Sequence, residues 1–249
     1  MNYLRKIYLF ALPALLSVSA VAQQAPDSAR SLLEKMQAAY GTASYLSFQV
    51  SYFYANEGQA GHPMDSLSGM FQMDKSRVLF SIAGTETLVT PVHTIRVQPE
   101  ERIMILGRSA QGAQANPAAM VDTLLRQLKG TNVQVKEEGK NAILSIGFPA
   151  GMQYKRVEMV VDSQTDYLEE ITYYLKTEGL VEQEMIKSAG HDAPYESEGR
   201  VRIVFSRYRQ QAFGESVFDE THFISRVGQV YQPAAAYKGY QLILASSNL

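Results

Sequence analysis

Residues 87–108 read TLVTPVHTIRVQPEERIMILGR and contain three short apolar runs separated by two groups of turn-forming residues. Each run has the length of a β-strand, and the breaks TPV at 90–92 and QPEE at 98–101 have the composition of tight turns. Turns this short cannot contain the long crossover connection that joins two neighbouring parallel strands. The stretch therefore predicts three consecutive strands of an antiparallel meander.

Strand-length runs with short turns continue on both sides of this stretch. The segment 45–55, YLSFQVSYFYA, alternates mostly apolar and polar residues, and further runs extend to residue 244. Two segments, 27–41 and 116–130, instead carry apolar residues at helical spacing between a capping residue and a glycine. Several strands are apolar on both faces, which indicates that both faces are covered. We expect an α+β fold in which helices pack on a strongly curved antiparallel sheet of about 11 strands.

The first 22 residues have the pattern of a secretory signal peptide. A basic start, MNYLRK, precedes an apolar core and a triplet of small residues, Ala-Val-Ala, that ends at Ala22. We expect cleavage after about Ala22, export to the periplasm, and a single domain over residues 23–249. The chain has no cysteine, so it lacks the residue on which a bacterial lipoprotein is lipidated, and we expect a released protein.

The charge balance argues against a nucleic-acid partner. The whole chain has a formal net charge of −2, and the predicted signal peptide removes Arg5 and Lys6 without removing an acidic residue. The mature protein is therefore more acidic still, whereas non-specific nucleic-acid binding depends on neutralising phosphates with lysine and arginine.

The sequence contains few groups that could carry out a reaction. The four histidines form no metal-binding spacing, and no nucleophile elbow or phosphate-binding loop occurs. Glu169 and Glu170 are adjacent on a predicted strand, so they point to opposite faces and do not converge on one bond. His93 lies on a meander strand without a second ligand nearby, which favours a surface or edge imidazole. We expect a protein without enzymatic activity, metal or cofactor.

Aromatic residues are the remaining signal for a site. Alternation along residues 45–55 places Phe48, Tyr52 and Tyr54 on one face, and the run ITYY adds Tyr173 or Tyr174. Such residues are ordinary components of a strand core. They also suit the lining of an apolar pocket inside a curved sheet, and both interpretations remain open from the sequence.

Residues 68–82, SGMFQMDKSRVLFSI, run into the meander and follow a helix and a long aromatic strand. The order of features here resembles that of the family of periplasmic carriers of outer-membrane lipoproteins and their receptor relatives (LolA and LolB). The matching features are Gly69, Lys75 and the pairs Leu79-Phe80 and Leu88-Val89. The later run at 160–175, VVDSQTDYLEEITYYL, also resembles a hairpin of that family.

This resemblance implies a fold and a function. The family fold is an unclosed antiparallel β-barrel of about eleven strands, with helices covering the open side. A soluble carrier of this family would bind lipoprotein acyl chains or another lipid under a helical lid, as a monomer, with an envelope membrane protein as a further partner. The family's lid latch is a basic residue, and Lys75 and Arg77 are both candidates for it. The alternative is an interaction or sensor module of the cell envelope on the same fold, with a filled core and no ligand.

Eleven side chains are candidates for lining the apolar cavity, and the two on the second predicted helix would also belong to the moving lid. The candidates are Phe48, Val50, Tyr52, Phe71, Phe80, Ile95, Val97, Ile103, Ile105, Met120 and Leu124. Within the opening stretch, Ile95 and Val97 share one face of their strand, and Ile103 and Ile105 share a face of the next strand.

Overall fold

The computed structural model describes residues 27–74, 76–109, 131–179, 196–228 and 230–246. Four predictions fall outside these ranges. They are the signal peptide over 1–22, the latch candidate Lys75, the helix over 116–130, and the cavity candidates Met120 and Leu124 on that helix.

One α-helix and fourteen β-strands occur in the described residues. The helix α1 spans Asp27–Thr42. The strands are β1 Tyr45–Asn56, β2 Asp65–Asp74, β3 Val78–Ile82, β4 Thr85–Val89, β5 His93–Gln98, β6 Ile103–Arg108, β7 Asn132–Glu138, β8 Asn141–Gly147, β9 Tyr154–Asp162, β10 Leu168–Lys176, β11 Glu198–Arg209, β12 Ile224–Val227, β13 Val230–Pro233 and β14 Gln241–Leu244.

Twelve of these strands form one sheet, and β12 and β13 form a separate two-stranded sheet. The order in the large sheet is β14-β6-β5-β4-β3-β2-β1-β11-β10-β9-β8-β7, so its two end strands do not pair with each other. The α+β class and the unclosed, mainly antiparallel sheet are therefore confirmed. One pair differs, because β14 lies parallel to β6, with Leu242 opposite Met104.

The turns of the meander explain why consecutive strands pair antiparallel. Between β3 and β4, Ala83 and Gly84 both have positive φ, which matches the twist of a two-residue hairpin. Between β4 and β5, the side-chain oxygen of Thr90 accepts hydrogen bonds from the backbone N–H groups of Val92 and His93. These local contacts close the chain onto itself within two to three residues, as the opening stretch predicts.

The described residues group into two compact units. Those of unit 1 fall within the bounds Met1–Tyr40, Ser51–Leu67 and Asn116–Phe205, and those of unit 2 fall within Gly41–Val50, Ser68–Ala115 and Ser206–Leu249. Strands β1, β2 and β11 each contribute residues to both units. The single domain expected over 23–249 stays a prediction.

The core of unit 1 combines one face of α1 with alternate residues of the strands. Helical spacing buries five residues of α1, and the last of them, Tyr40, places its ring 5.2 Å from that of Tyr167. Its phenolic oxygen also accepts a hydrogen bond from the backbone N–H of Leu168. On the strands, the buried residues follow a period of two: Ala142, Leu144 and Ile146 on β8, and Val157, Met159 and Val161 on β9.

The core of unit 2 packs the meander against the segment that follows β11. From the opening stretch, alternate residues of β4, β5 and β6 are buried. Their partners come from residues 213–242. The buried members are Leu88, Ile95, Val97, Met104, Leu106, Phe218, Phe223 and Ile224.

Candidate ligand-binding site

Three tyrosines of unit 1 lie close together on strands β1, β9 and β10. The rings of Tyr154 and Tyr173 have centroids 5.9 Å apart, and Phe148 extends the group at 5.8 Å from Tyr154. Tyr52 of β1 is near enough to act electrostatically on Tyr173. We call these four side chains, Tyr52, Phe148, Tyr154 and Tyr173, the tyrosine recess.

Burial keeps the phenols of the tyrosine recess uncharged. Loss of contact with water raises the pKa of Tyr52 to about 12 and also raises the pKa of Tyr154. For Tyr173, burial is again the main cause of a raised pKa, and the neighbouring phenols Tyr154 and Tyr52 raise it further. All three groups are therefore neutral hydroxyls, able to donate a hydrogen bond, throughout the physiological range.

The same tyrosines retain surface that water can reach. Tyr52, Tyr154 and Tyr173 are each half-buried, although protein surrounds their phenols closely enough to raise the pKa of each. None of the three hydroxyls bonds to another described residue, whereas buried tyrosine hydroxyls usually have a partner. The tyrosine recess thus combines aromatic rings in mutual contact with hydroxyl groups that are available as donors.

Tyr174, the neighbour of Tyr173, belongs to a polar surface instead. Adjacent strand residues point to opposite faces, and the Tyr174 ring lies 4.1 Å from the Arg156 guanidinium. Its hydroxyl donates a hydrogen bond to Glu158 at 3.2 Å. Of the two tyrosines that the run ITYY offers, Tyr173 is the one that lies beside Tyr52. Sequence reasoning missed Tyr154 and Phe148, whose surroundings carry no distinctive motif.

Three further candidates meet in unit 2. The ring of Phe71 stacks between those of Phe48 and Phe80, with centroids 5.1 and 5.0 Å apart and nearly parallel planes. Val50 lies on the same side of β1 as Phe48, and both are buried. Tyr208 also packs on Phe48, with centroids 5.1 Å apart. Phe48 of β1 and Phe71 of β2 thus lie on the same face of the sheet.

The four candidates of the opening stretch do not form one wall. Cross-strand pairing places Ile95 opposite Leu106 and Val97 opposite Met104, all within the filled core of unit 2. Ile103 pairs with Gln98, and Ile105 pairs with Arg96, so both isoleucines point to the other face. The physical reason is the register of the β5–β6 hairpin, which matches odd-numbered residues of β5 with even-numbered residues of β6.

Arg77, the latch candidate inside the described residues, is held at the turn after β2. Its guanidinium donates two hydrogen bonds to Asp74, at 2.9 and 2.5 Å. Partial burial alone would raise the pKa of Asp74, but the hydrogen bonds from Arg77 and from the backbone N–H of Ser76 hold it below its usual value. The same guanidinium lies 4.9 Å from the ring centre of Phe218. The latch role stays a prediction.

His93 is buried, so the expectation of a surface or edge imidazole is wrong. Its Nδ1 atom lies 2.7 Å from a carboxylate oxygen of Glu220, and its Nε2 atom lies 3.3 Å from the Tyr231 hydroxyl. Thr90 donates a hydrogen bond to the other carboxylate oxygen of Glu220. The signal was present in the sequence, because His93 shares the odd-numbered face of β5 with Ile95 and Val97.

Neither a membrane-spanning helix nor a metal-binding cluster occurs in the part of the chain that the structure describes. No helix there is long and apolar enough to cross a bilayer. No three His, Cys, Asp or Glu side chains in those ranges are grouped so that they could hold a metal ion.

No protein-family model matches the chain, and the search of curated proteins found no match. A crystal structure of an uncharacterized conserved protein from Thermus thermophilus is 8% identical, with a TM-score of 0.49 over 87% of this chain and 99% of that one. A LolA superfamily protein from Nitrosomonas europaea is 12% identical, with a TM-score of 0.35 over 82% of this chain and 100% of that one. The Mycobacterium tuberculosis lipoprotein LppX is 10% identical, with a TM-score of 0.38 over 76% of this chain and 99% of that one.

Proposed function

We propose that this protein is an exported, soluble binding or carrier protein for a lipid, such as a lipoprotein acyl chain. The tyrosine recess of unit 1 would bind the ligand. One observation on Tyr52 and Tyr173 carries the proposal. Protein closely surrounds each phenol, yet each side chain keeps surface that water can reach, and neither hydroxyl bonds to a described residue. The sequence resemblance to periplasmic lipoprotein carriers supports the same function.

The chemistry of the recess suits an uncharged or weakly polar amphiphile. Aromatic walls bind an apolar chain by removing its surface from water, and each buried methylene contributes about 0.8 kcal/mol. The neutral phenols of Tyr52, Tyr154 and Tyr173 would donate hydrogen bonds to an ester or acid carbonyl. No charged partner is needed for this mode of binding, so its affinity should depend weakly on salt.

The experiment starts from the protein purified without its predicted signal peptide. Organic extraction and mass spectrometry identify any lipid that co-purifies, and a fluorescent fatty-acid ester probe, which is uncharged, measures binding to the extracted protein. We expect Tyr173→Ala to weaken probe binding about tenfold or more, because it removes both an aromatic wall and a donor. Tyr174→Ala is the matched control, since this adjacent tyrosine lies on the polar face. A lipid-free protein that also fails to bind the probe would contradict the proposal.

A second candidate function is an envelope interaction module without a ligand. Two observations favour it: Ile95 and Val97 lie in a filled core, and the end strand β14 exposes Ile243 and Leu244, at 39% and 54% of their surface. An end strand with free backbone groups is a common docking edge for an added strand. Cross-linking from β14 would capture a partner protein under this hypothesis, while extraction would recover no lipid.

A further inference from the structure

A groove in unit 2 brings cationic, amide and apolar side chains together. It lies on β1, β2 and the end of β11, and residues 211–213 form its remaining side. Its volume is about 270 Å³. The lining residues are Ser47, Phe48, Gln49, Met70, Gln72, Arg207, Arg209, Gln211, Ala212 and Phe213.

The charge of this groove is entirely positive. Arg207 and Arg209 are exposed, and neither forms an ion pair with any residue that the structure describes. No aspartate or glutamate lines the groove, although the protein as a whole has a net charge of −2. The amides of Gln49, Gln72 and Gln211 add neutral donors beside the two guanidinium groups. This set of donors matches an oxyanion.

The backbone of β11 fixes the arginines on the groove side. Arg207 has φ 56 inside the strand, a conformation that is costly for a residue other than glycine and that accumulates at ligand-binding positions. Tyr208, between the two arginines, packs on Phe48 with ring centroids 5.1 Å apart. Strand residues two positions apart lie about 6.6 Å from each other, so Arg207 and Arg209 are close enough to share one anionic group.

The opposite part of the groove is apolar and accessible. Met70 exposes 46% of its surface. Phe213 is half-buried and places its ring 5.8 Å from that of Tyr45, which is itself 39% exposed. Exposed methionine and aromatic side chains beside a polar group are typical of surfaces that bind an amphiphile.

We propose that this groove binds the oxyanion of a small amphiphile, a phosphate or carboxylate carried on an apolar chain. Arg207 and Arg209 bind the oxyanion, and Met70 and Phe213 contact the first part of the chain. A volume of about 270 Å³ lies just below the usual range of about 300–1,000 Å³ for drug-sized ligands, so the groove takes the head and the first methylenes. This site is independent of the tyrosine recess and of the function proposed for it.

Calorimetric titration with octyl phosphate tests the proposal. Octyl glucoside is the probe with the same chain and no charge, and inorganic phosphate is the probe with the charge and no chain. We expect octyl phosphate to bind more tightly than either, and the double variant Arg207→Gln, Arg209→Gln to lose about tenfold or more, because charge-assisted hydrogen bonds are lost. Arg108→Gln, which removes an exposed arginine of β6 outside the groove, should keep the wild-type affinity.

A second variant distinguishes loss of the anion contacts from a folding defect in the arginine double variant. Met70→Asp leaves both arginines in place, adds an acid beside them at an exposed position, and should also weaken octyl phosphate binding about tenfold. Equal binding of octyl glucoside, equal binding of inorganic phosphate, or unchanged affinity in both variants would overturn the proposal. Binding that survives both groove variants and disappears in Tyr173→Ala would assign the probe to the tyrosine recess instead.

Discussion

His93 and Glu220 are 127 positions apart in sequence, and a nitrogen of the imidazole lies 2.7 Å from a carboxylate oxygen of the glutamate. Glu220 also accepts a hydrogen bond from Thr90. One acidic side chain from the segment after β11 therefore holds the turn between β4 and β5 by two contacts. This arrangement fastens the C-terminal segment over the buried face of the meander in unit 2.

Removing this carboxylate should destabilise the protein. We expect Glu220→Ala to lower the free energy of unfolding by about 1–3 kcal/mol, because buried His93 and Thr90 each lose a hydrogen-bond partner. Urea denaturation followed by circular dichroism measures the change. Glu101→Ala, at an exposed turn position of the same unit, is the control and should stay within about 0.5 kcal/mol of wild type. Equal stability of the two variants would contradict the fastening role.

Two tyrosines of β1 should respond oppositely to loss of their hydroxyl. The hydroxyl of Tyr54 is buried and lies 3.4 Å from the hydroxyl of Thr177, so Tyr54→Phe should cost about 1 kcal/mol of stability. The hydroxyl of Tyr52 bonds to no described residue, so Tyr52→Phe should be neutral or stabilising. Denaturant midpoints of the two variants, measured side by side, check this difference. A larger loss for Tyr52→Phe than for Tyr54→Phe would show that the recess hydroxyl has a partner.

Alkaline pH should destabilise the protein through the tyrosine recess. Burial raises the pKa of Tyr52 from 10.0 to about 12, so between these values the folded protein holds a proton that the unfolded chain has lost. Stability therefore falls as pH rises through this window, by up to about 2–3 kcal/mol for two pKa units. Below pH 10 the contribution is fully present.

Absorbance at 295 nm during a pH titration measures the ionisation, and thermal melting at each pH measures the stability. Tyr52→Phe should remove part of the loss between pH 10 and 12, while wild type and variant should differ by a constant amount at lower pH. A variant that loses stability as steeply as wild type across this window would assign the effect to other groups.

Gly69 is a position where a side chain does not fit. A Cβ atom there would overlap the backbone oxygen of Ser81 and the side chain of Ile82 on the neighbouring strand β3. Gly69→Ala should therefore destabilise the protein by about 1–3 kcal/mol, because the paired strands must move apart. Gly214→Ala is the control in the same unit, since open space surrounds it and its φ is −61. Thermal melting of both variants checks the prediction, and a Gly69→Ala variant as stable as its control would contradict it.

The sequence predicted those parts of the fold that neighbouring residues determine. Turn residues such as Thr90 and Gly84 act within a few positions, so the meander and its antiparallel pairing followed from them. The alternation of Phe48, Val50 and Tyr52 likewise identified one face of β1. The parallel position of β14 beside β6 was not predictable, because about 130 residues separate the paired strands and no local signal sets their register.

The candidate sites likewise combine local features, which the sequence predicts, with long-range contacts, which it does not. Tyr52 is a candidate from the alternation of its strand, but Tyr154 and Tyr173 lie near it only through the long-range order of the sheet. The groove was missed because Arg207 and Arg209 look like ordinary strand charges, and the positive φ of Arg207 has no signature in the residue type. His93 was misjudged for a different reason, since its odd-numbered face was visible but the lack of a second ligand nearby was taken to favour the surface.

The parallel pairing of β14 with β6 also sets an order of events during biosynthesis. Residues 241–244 leave the ribosome long after β6, because the chain between the two paired strands must be made first. Until then β6 has an unprotected side, with backbone groups free to pair with a second nascent chain. A stop codon before residue 241 would leave that side of β6 open permanently, because β14 is the strand that pairs with it and takes its place at the end of the sheet.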